Sequence, residues 1–252
     1  TDCAGTINGN AFIDICGNCV DGNTGTVCTD IYINPNISIE CFNEGCGTEN
    51  NPYKTISQAF QMITTDYLYL FFTEDNPATI HLEAGIYSPE TGESFPISMV
   101  SNVNLIGEGE DITIVDAQQT GGMIIELGFF VMEECENNLI SDVTITGGNH
   151  GMYLHNSDPT LTHITITDNG HHGIKLYNSN PTLSHITITE NTATVGGGMY
   201  LENSHPTLTN SILWDNSPES IYISSGTPLI TYSDIEGGWE GEGNINSDPL
   251  FN

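Results

Sequence analysis

Arginine is absent from the 252-residue chain, and lysine occurs only at Lys54 and Lys175, against 33 aspartates and glutamates. The formal net charge is −31 at pH 7. Phosphate backbones and anionic membranes are recognised by grouped Lys and Arg, and two lysines cannot form such a group, so nucleic-acid binding is excluded. Long apolar runs are missing too. A membrane-spanning helix needs about 20 consecutive apolar residues, whereas the longest candidate, residues 67–72, has strand length. Membrane insertion is not expected. No signal segment precedes Thr1-Asp2-Cys3, which reads as the start of a mature or excised chain.

Cysteine is scarce over most of the chain and dense at one end. Six of the seven, Cys3, Cys16, Cys19, Cys28, Cys41 and Cys46, fall in the first 46 residues, and Cys135 stands apart. That segment is too rich in Gly, Asn and Asp to build an apolar core, so the cluster reads as disulfide stapling in an oxidising, extracellular compartment. The rival is zinc, because Cys16-Gly-Asn-Cys19 has ligand spacing, but histidines are lacking nearby. Asp14, Asp21, Asn23 and Asp30 offer oxygen ligands for calcium, although their spacing departs from the twelve-residue loop pattern. Crowded carboxylates repel one another, which makes a divalent cation, calcium or magnesium, an expected cofactor without a located site. Residues 1–36 are assigned as a Cys-rich strap and residues 37–252 as the main domain.

The main domain is set by internal repetition. Asn156-Ser-Asp-Pro-Thr-Leu-Thr-His-Ile-Thr-Ile-Thr-Asp-Asn169 and Asn178-Ser-Asn-Pro-Thr-Leu-Ser-His-Ile-Thr-Ile-Thr-Glu-Asn191 agree almost residue for residue. A third copy runs from Asn203 to Asn216, and a degenerate fourth begins at Pro228. This period is one coil of a solenoid. Within each copy apolar and polar residues alternate, a strand period of two, and a second alternating strand follows with Met152/Leu154, Ile174/Leu176, Met199/Leu201 and Ile221/Ile223. The fold is therefore expected to be an all-β parallel β-helix with Ile164, Ile186 and Leu213 stacked inside, regular coils over residues 137–252 and looser ones before. Asn156, Asn178 and Asn203 recur at one turn, where stacked amides can bond from coil to coil. Tyr53 to Ile63 carries a helical face of Ile56, Ala59, Phe60 and Ile63, suited to capping the open first coil.

Gly45-Cys-Gly-Thr-Glu-Asn-Asn-Pro-Tyr-Lys-Thr-Ile56 resembles the entry motif of right-handed parallel β-helix proteins of the pectate-lyase-like superfamily. Ala84-Gly-Ile-Tyr-Ser-Pro89, Glu93-Ser-Phe-Pro96 and Leu105-Ile-Gly-Glu-Gly109 are similar to that group's first coils, and Tyr232–Gly238 to its closing ones. Residues 2–30 resemble Cys/Gly/Asp linker repeats of secreted bacterial proteins. The resemblance implies the right-handed fold. It leaves the reaction open, since the superfamily holds lyases, hydrolases, epimerases and non-catalytic surface proteins.

Outward positions of the second strand form two columns, Tyr153, Lys175, Tyr200, Tyr222 and His155, Tyr177, Glu202, Ser224. The tyrosines Tyr153, Tyr177, Tyr200 and Tyr222 would make a flat aromatic strip against which sugar rings stack, or would simply cover a sheet. Asp168, His171, His172 and Lys175 lie close in sequence and offer a base and a cation for polysaccharide lyase or hydrolase chemistry. Many pectate lyases of the resembling group employ an arginine base, which this chain cannot supply. His163 and His185 form a further column above Asn210, a solvated face or a metal pair. The leading expectation is a non-catalytic, secreted structural or adhesive module. It contacts a glycan or assembles into oligomers or fibres through its coil ends, and polysaccharide lyase or hydrolase is the alternative.

Overall fold

The computed structural model describes residues 12–13, 19–20, 28–38, 41, 46–65, 68–119, 125–127 and 135–251. Alternation produces the expected parallel coil. In Thr160–Thr167, Leu161, Ile164 and Ile166 are fully buried, and in Thr182–Thr189 Leu183, Ile186 and Ile188 repeat them. The two strands pair in parallel, Ile164 on Ile186 and Ile166 on Ile188. Leu213 continues the column below Ile188, not Ile186, because the register stays constant across the bend and puts Ser211 beneath Ile186, whose N–H donates to the Ser211 hydroxyl. Each fully buried aliphatic contributes roughly 1.5–3 kcal/mol, and every coil adds several to one continuous core.

Three bends per coil make the cross-section triangular. Eight-residue strands Leu139–Thr146, Thr160–Thr167 and Thr182–Thr189 turn at Asp142, His163 and His185, whose φ values are 60°, 51° and 53°. In the next coil the strand is divided outright into Thr207–Thr209 and Ile212–Trp214 around Asn210. The other corners are left-handed as well, at Asn156, Asn178 and Asn203 and at Asp168, Glu190 and Asp215. Asn and Asp tolerate this region best among residues with a side chain. The third side is a six-stranded parallel sheet containing Met152–His155, Ile174–Tyr177, Met199–Glu202 and Ile221–Ile223.

At each corner the left-handed residue points outward and its successor points inward. Asn169, Asn191 and Asn216 are buried this way and form an amide ladder. Asn169 donates to Asn191 Oδ1 at 2.9 Å and Asn191 to Asn216 Oδ1 at 3.0 Å. Their amides also donate to carbonyls of Thr167, Ile166 and Ile188, among others, satisfying bent backbone. The turn at Asn156, Asn178 and Asn203 is stitched differently. Asn178 donates to Asn156 at 3.1 Å outside, while buried Ser157, Ser179 and Ser204 link coils inside.

The first coils are capped as expected, with shifted boundaries. Asp30–Ile33 pairs in parallel with Ala78–Leu82, so the solenoid begins inside the segment assigned as a strap, before residue 37. The helix α1 spans Ile56–Thr65 and buries Ile56, Ala59, Phe60 and Ile63. It starts later than Tyr53, which bridges Ile33. Residues Leu68–Phe71 form a 3₁₀ turn instead of a strand. Cys41 and Cys46 are disulfide-bonded, as is Cys28, and Cys135 is buried. The side chains of Cys3, Cys16, Cys19, Asp14, Asp21 and Asn23 lie outside the described residues. Among those residues no helix is long and apolar enough to cross a membrane.

Candidate functional site

The third sheet brings its outward columns into register. Tyr153 pairs with Lys175, Lys175 with Tyr200 and Tyr200 with Tyr222, while His155 pairs with Tyr177 and Tyr177 with Glu202. Lys175 Nζ lies over two rings, 5.2 Å from the centre of Tyr153 and 5.8 Å from that of Tyr200, so the cation is held between aromatic faces. Tyr200 and Tyr222 stack at 5.6 Å and 20°, and His155 and Tyr177 at 5.1 Å and 16°. Rings this close cannot lie side by side in the surface plane. They stack on each other along the coil axis, so the strip offers ring edges, hydroxyls and imidazole nitrogens instead of the flat aromatic surface expected from the sequence. The Tyr200 hydroxyl donates to Glu202 at 3.3 Å.

Beside this sheet three histidines converge. His150 and His172 occupy equivalent places in consecutive coils, since Met152 pairs with Ile174, and His171 precedes His172. Ring centres lie 4.6 Å apart for His150 and His171, 5.2 Å for His150 and His172, and 4.1 Å for His171 and His172. His172 is buried and its Nδ1–H donates to the Gly196 carbonyl at 2.8 Å. Burial pushes His150 down to about 3, with His171, His172 and Lys175 adding to the shift. Burial likewise lowers His172 to about 4, against the opposing Gly196 hydrogen bond, and lowers His171, with Lys175 contributing. His150 and His172 are neutral imidazoles at pH 7.

The structure thus brings together His171, His172 and Lys175. Asp168 lines an adjoining open groove of about 310 Å³ with Glu190, Asn169 and Thr192. His150 escaped the sequence reading because it precedes the first clear repeat copy, although stepping back 22 residues from His172 reaches it. Asp30 accepts a hydrogen bond from His81 Nε2 at 2.8 Å in the first coil. His163 and His185 stack face to face, 4.8 Å apart and 4° from parallel, at an exposed corner. In-plane lone pairs of parallel rings do not converge on a common ion, so this pair is a poor metal site.

Together these features define a parallel β-helix with one polar, aromatic face and a histidine cluster at its edge. Residues 110–241, more than half of the chain, match the family described as right handed beta helix region, and the chain belongs to that family. No curated protein matches it. Among solved structures it is similar to the pectate lyase Pel9A at 16% identity, with a TM-score of 0.59, covering 88% of this chain and 56% of that one. The A-module of mannuronan C-5 epimerase AlgE6 from Azotobacter vinelandii gives 14% identity and 0.48 over 68% and 52%. A pectin methylesterase from carrot gives 14% and 0.47 over 91% and 80%. The chain spans little more than half of the lyase and of the epimerase module. At 16% identity the likeness to the lyase shows the fold alone.

Proposed function

We propose that the protein is an extracellular, non-catalytic β-helix module that contacts a polysaccharide through the outward face of its third sheet. The observation that carries this reading is the in-register column Tyr153, Lys175, Tyr200, Tyr222 beside His155, Tyr177, Glu202. Such a row of hydroxyls, imidazole and ammonium repeats at the ~4.8 Å coil spacing and suits hydrogen bonding along an extended glycan. Neutral chains fit best, because a polyanion approaching a charge of −31 is repelled unless cations bridge. Calcium held by the acidic surface is part of this reading. The disulfides at Cys28 and Cys41–Cys46 support an oxidising compartment.

Affinity electrophoresis against neutral and acidic polysaccharides tests the proposal. A neutral glycan should retard the protein, and Tyr177→Ala/Tyr200→Ala/Tyr222→Ala should abolish retardation; equal retardation of both proteins would refute the assigned face. A second reading rests on the groove, which Asp168 and Glu190 both line and which would supply the carboxylate pair that a hydrolase needs. Release of reducing or unsaturated ends by the wild type, lost in Asp168→Asn and Glu190→Gln, would establish it in place of the first. Self-assembly is a separate matter, read by sedimentation with calcium and with EDTA.

A further inference from the structure

The histidine cluster borders the proposed glycan face, with the His172 ring 5.0 Å from that of Tyr200, and its chemistry is distinct from that of oxygen ligands for calcium. One donor atom from each of His150, His171 and His172 lies within 4.8 Å of the others. Nitrogens around a tetrahedral zinc ion are roughly 3.4 Å apart for bonds of about 2.1 Å, so modest ring rotations close the set. Two further observations point to an ion. The Nδ1 atoms of His150 and His171 are shielded from solvent and have no hydrogen-bond partner, an uncommon state for buried polar atoms. The His172 Nδ1–H is fixed on the Gly196 carbonyl, the outer-sphere arrangement that orients metal-bound imidazoles and leaves Nε2 as the ligand atom.

We propose that His150, His171 and His172 form a three-imidazole site for a zinc-like divalent transition ion, with a fourth position left to water or a ligand oxygen. Imidazole selects zinc, nickel or copper over calcium, which takes hard oxygen ligands. Lys175 opposes a cation at this place, and it is held over the rings of Tyr153 and Tyr200. Asn149 and Gly170, which directly precede His150 and His171, line the groove containing Asp168 and Glu190, so the open position adjoins a space that admits small ligands.

Untagged protein, stripped with EDTA, is titrated with zinc by calorimetry in the presence of excess calcium. One ion per chain should bind, and His150→Gln/His171→Gln should weaken it about tenfold or more, while His163→Asn/His185→Asn leaves it unchanged. Long-range ¹H–¹⁵N spectra of the wild type give the same answer without substitution. Zinc should move the imidazole resonances of His150, His171 and His172 and leave those of His163 and His185. Unaltered affinity in His150→Gln/His171→Gln, displacement by calcium, or shifts confined to other residues would overturn the site. A wild-type protein that binds no glycan would leave all these readouts intact, because they need only the unsubstituted Tyr200 ring, 5.0 Å from that of His172.

Discussion

Asn191 shows what a single inward residue does in this fold. It accepts from the Asn169 amide and from the Asn169 backbone N–H, donates to the Ile166 and Thr189 carbonyls, and gives its own N–H to Asn216. Replacing it by alanine strands several buried polar groups, each costing about 1–3 kcal/mol. Asn191→Ala should therefore lose about 3 kcal/mol or more in chemical denaturation, whereas Asn178→Gly, at an exposed left-handed position, should stay within about 0.5 kcal/mol. Equal losses would mean the inner ladder does not hold the coils. Sequence reading picked the outer asparagines because both sets recur with the same period, and period alone does not say which turn residue faces inward. Half-buried His150 and buried His172 make stability depend on solvent acidity. His150 and His172 have folded values depressed to about 3 and 4, below the unfolded value near 6.5. Their contribution is full above about pH 6.5 and is lost as pH falls toward 4, because the unfolded chain takes up the protons first. In metal-free protein the fall in melting temperature from pH 7 to pH 5 should be shallower for His150→Gln than for wild type.

The helix α1 was legible from its apolar stripe, but what fixes it to the first coil was not. Its N-terminal N–H groups are capped from 36 and 37 residues away. Buried Glu93 accepts from Ile56 N at 2.6 Å and Ser57 N at 3.0 Å, while Thr55 Oγ1 accepts from Gln58 N. A local search for caps finds Thr55 and cannot find Glu93, since that contact exists only after the chain has coiled once. Bonds to a charged acceptor contribute about 1.5–3 kcal/mol each, and the helix dipole favours the carboxylate further. Glu93→Ala should destabilise by about 3 kcal/mol or more, and Glu93→Gln by less because one oxygen acceptor remains. Hydrogen exchange should show the α1 amides losing protection while those of Thr182–Thr189 keep theirs. The repeat copies, by contrast, were readable to the residue: Thr160–Thr167 and Thr182–Thr189 pair as their alignment implies. The histidine cluster lay between these cases, for His171 and His172 were visible and His150 needed the register of neighbouring coils.

On the scale of the whole molecule, charge is the unbalanced quantity. A core of stacked aliphatics can carry a net charge of −31 only against self-repulsion, and the third corner concentrates it by placing exposed Asp168, Glu190 and Asp215 in successive coils. At a coil spacing of ~4.8 Å, neighbouring carboxylates in water repel by about 1 kcal/mol before screening. Salt at about 0.5 M shortens the screening distance well below the ~10 Å of 0.1 M and should raise the melting temperature by several degrees, at about 2–4 °C per kcal/mol for a chain of this size. Calcium should exceed sodium at matched ionic strength, because one ion can bridge carboxylates of adjacent coils. Asp168→Asn/Asp215→Asn should reduce both effects while preserving the left-handed backbone, which asparagine adopts as readily as aspartate. If that variant melted with the wild-type dependence on calcium, the stabilising ions would have to sit elsewhere on the surface, and the corner acids would be solvated individually.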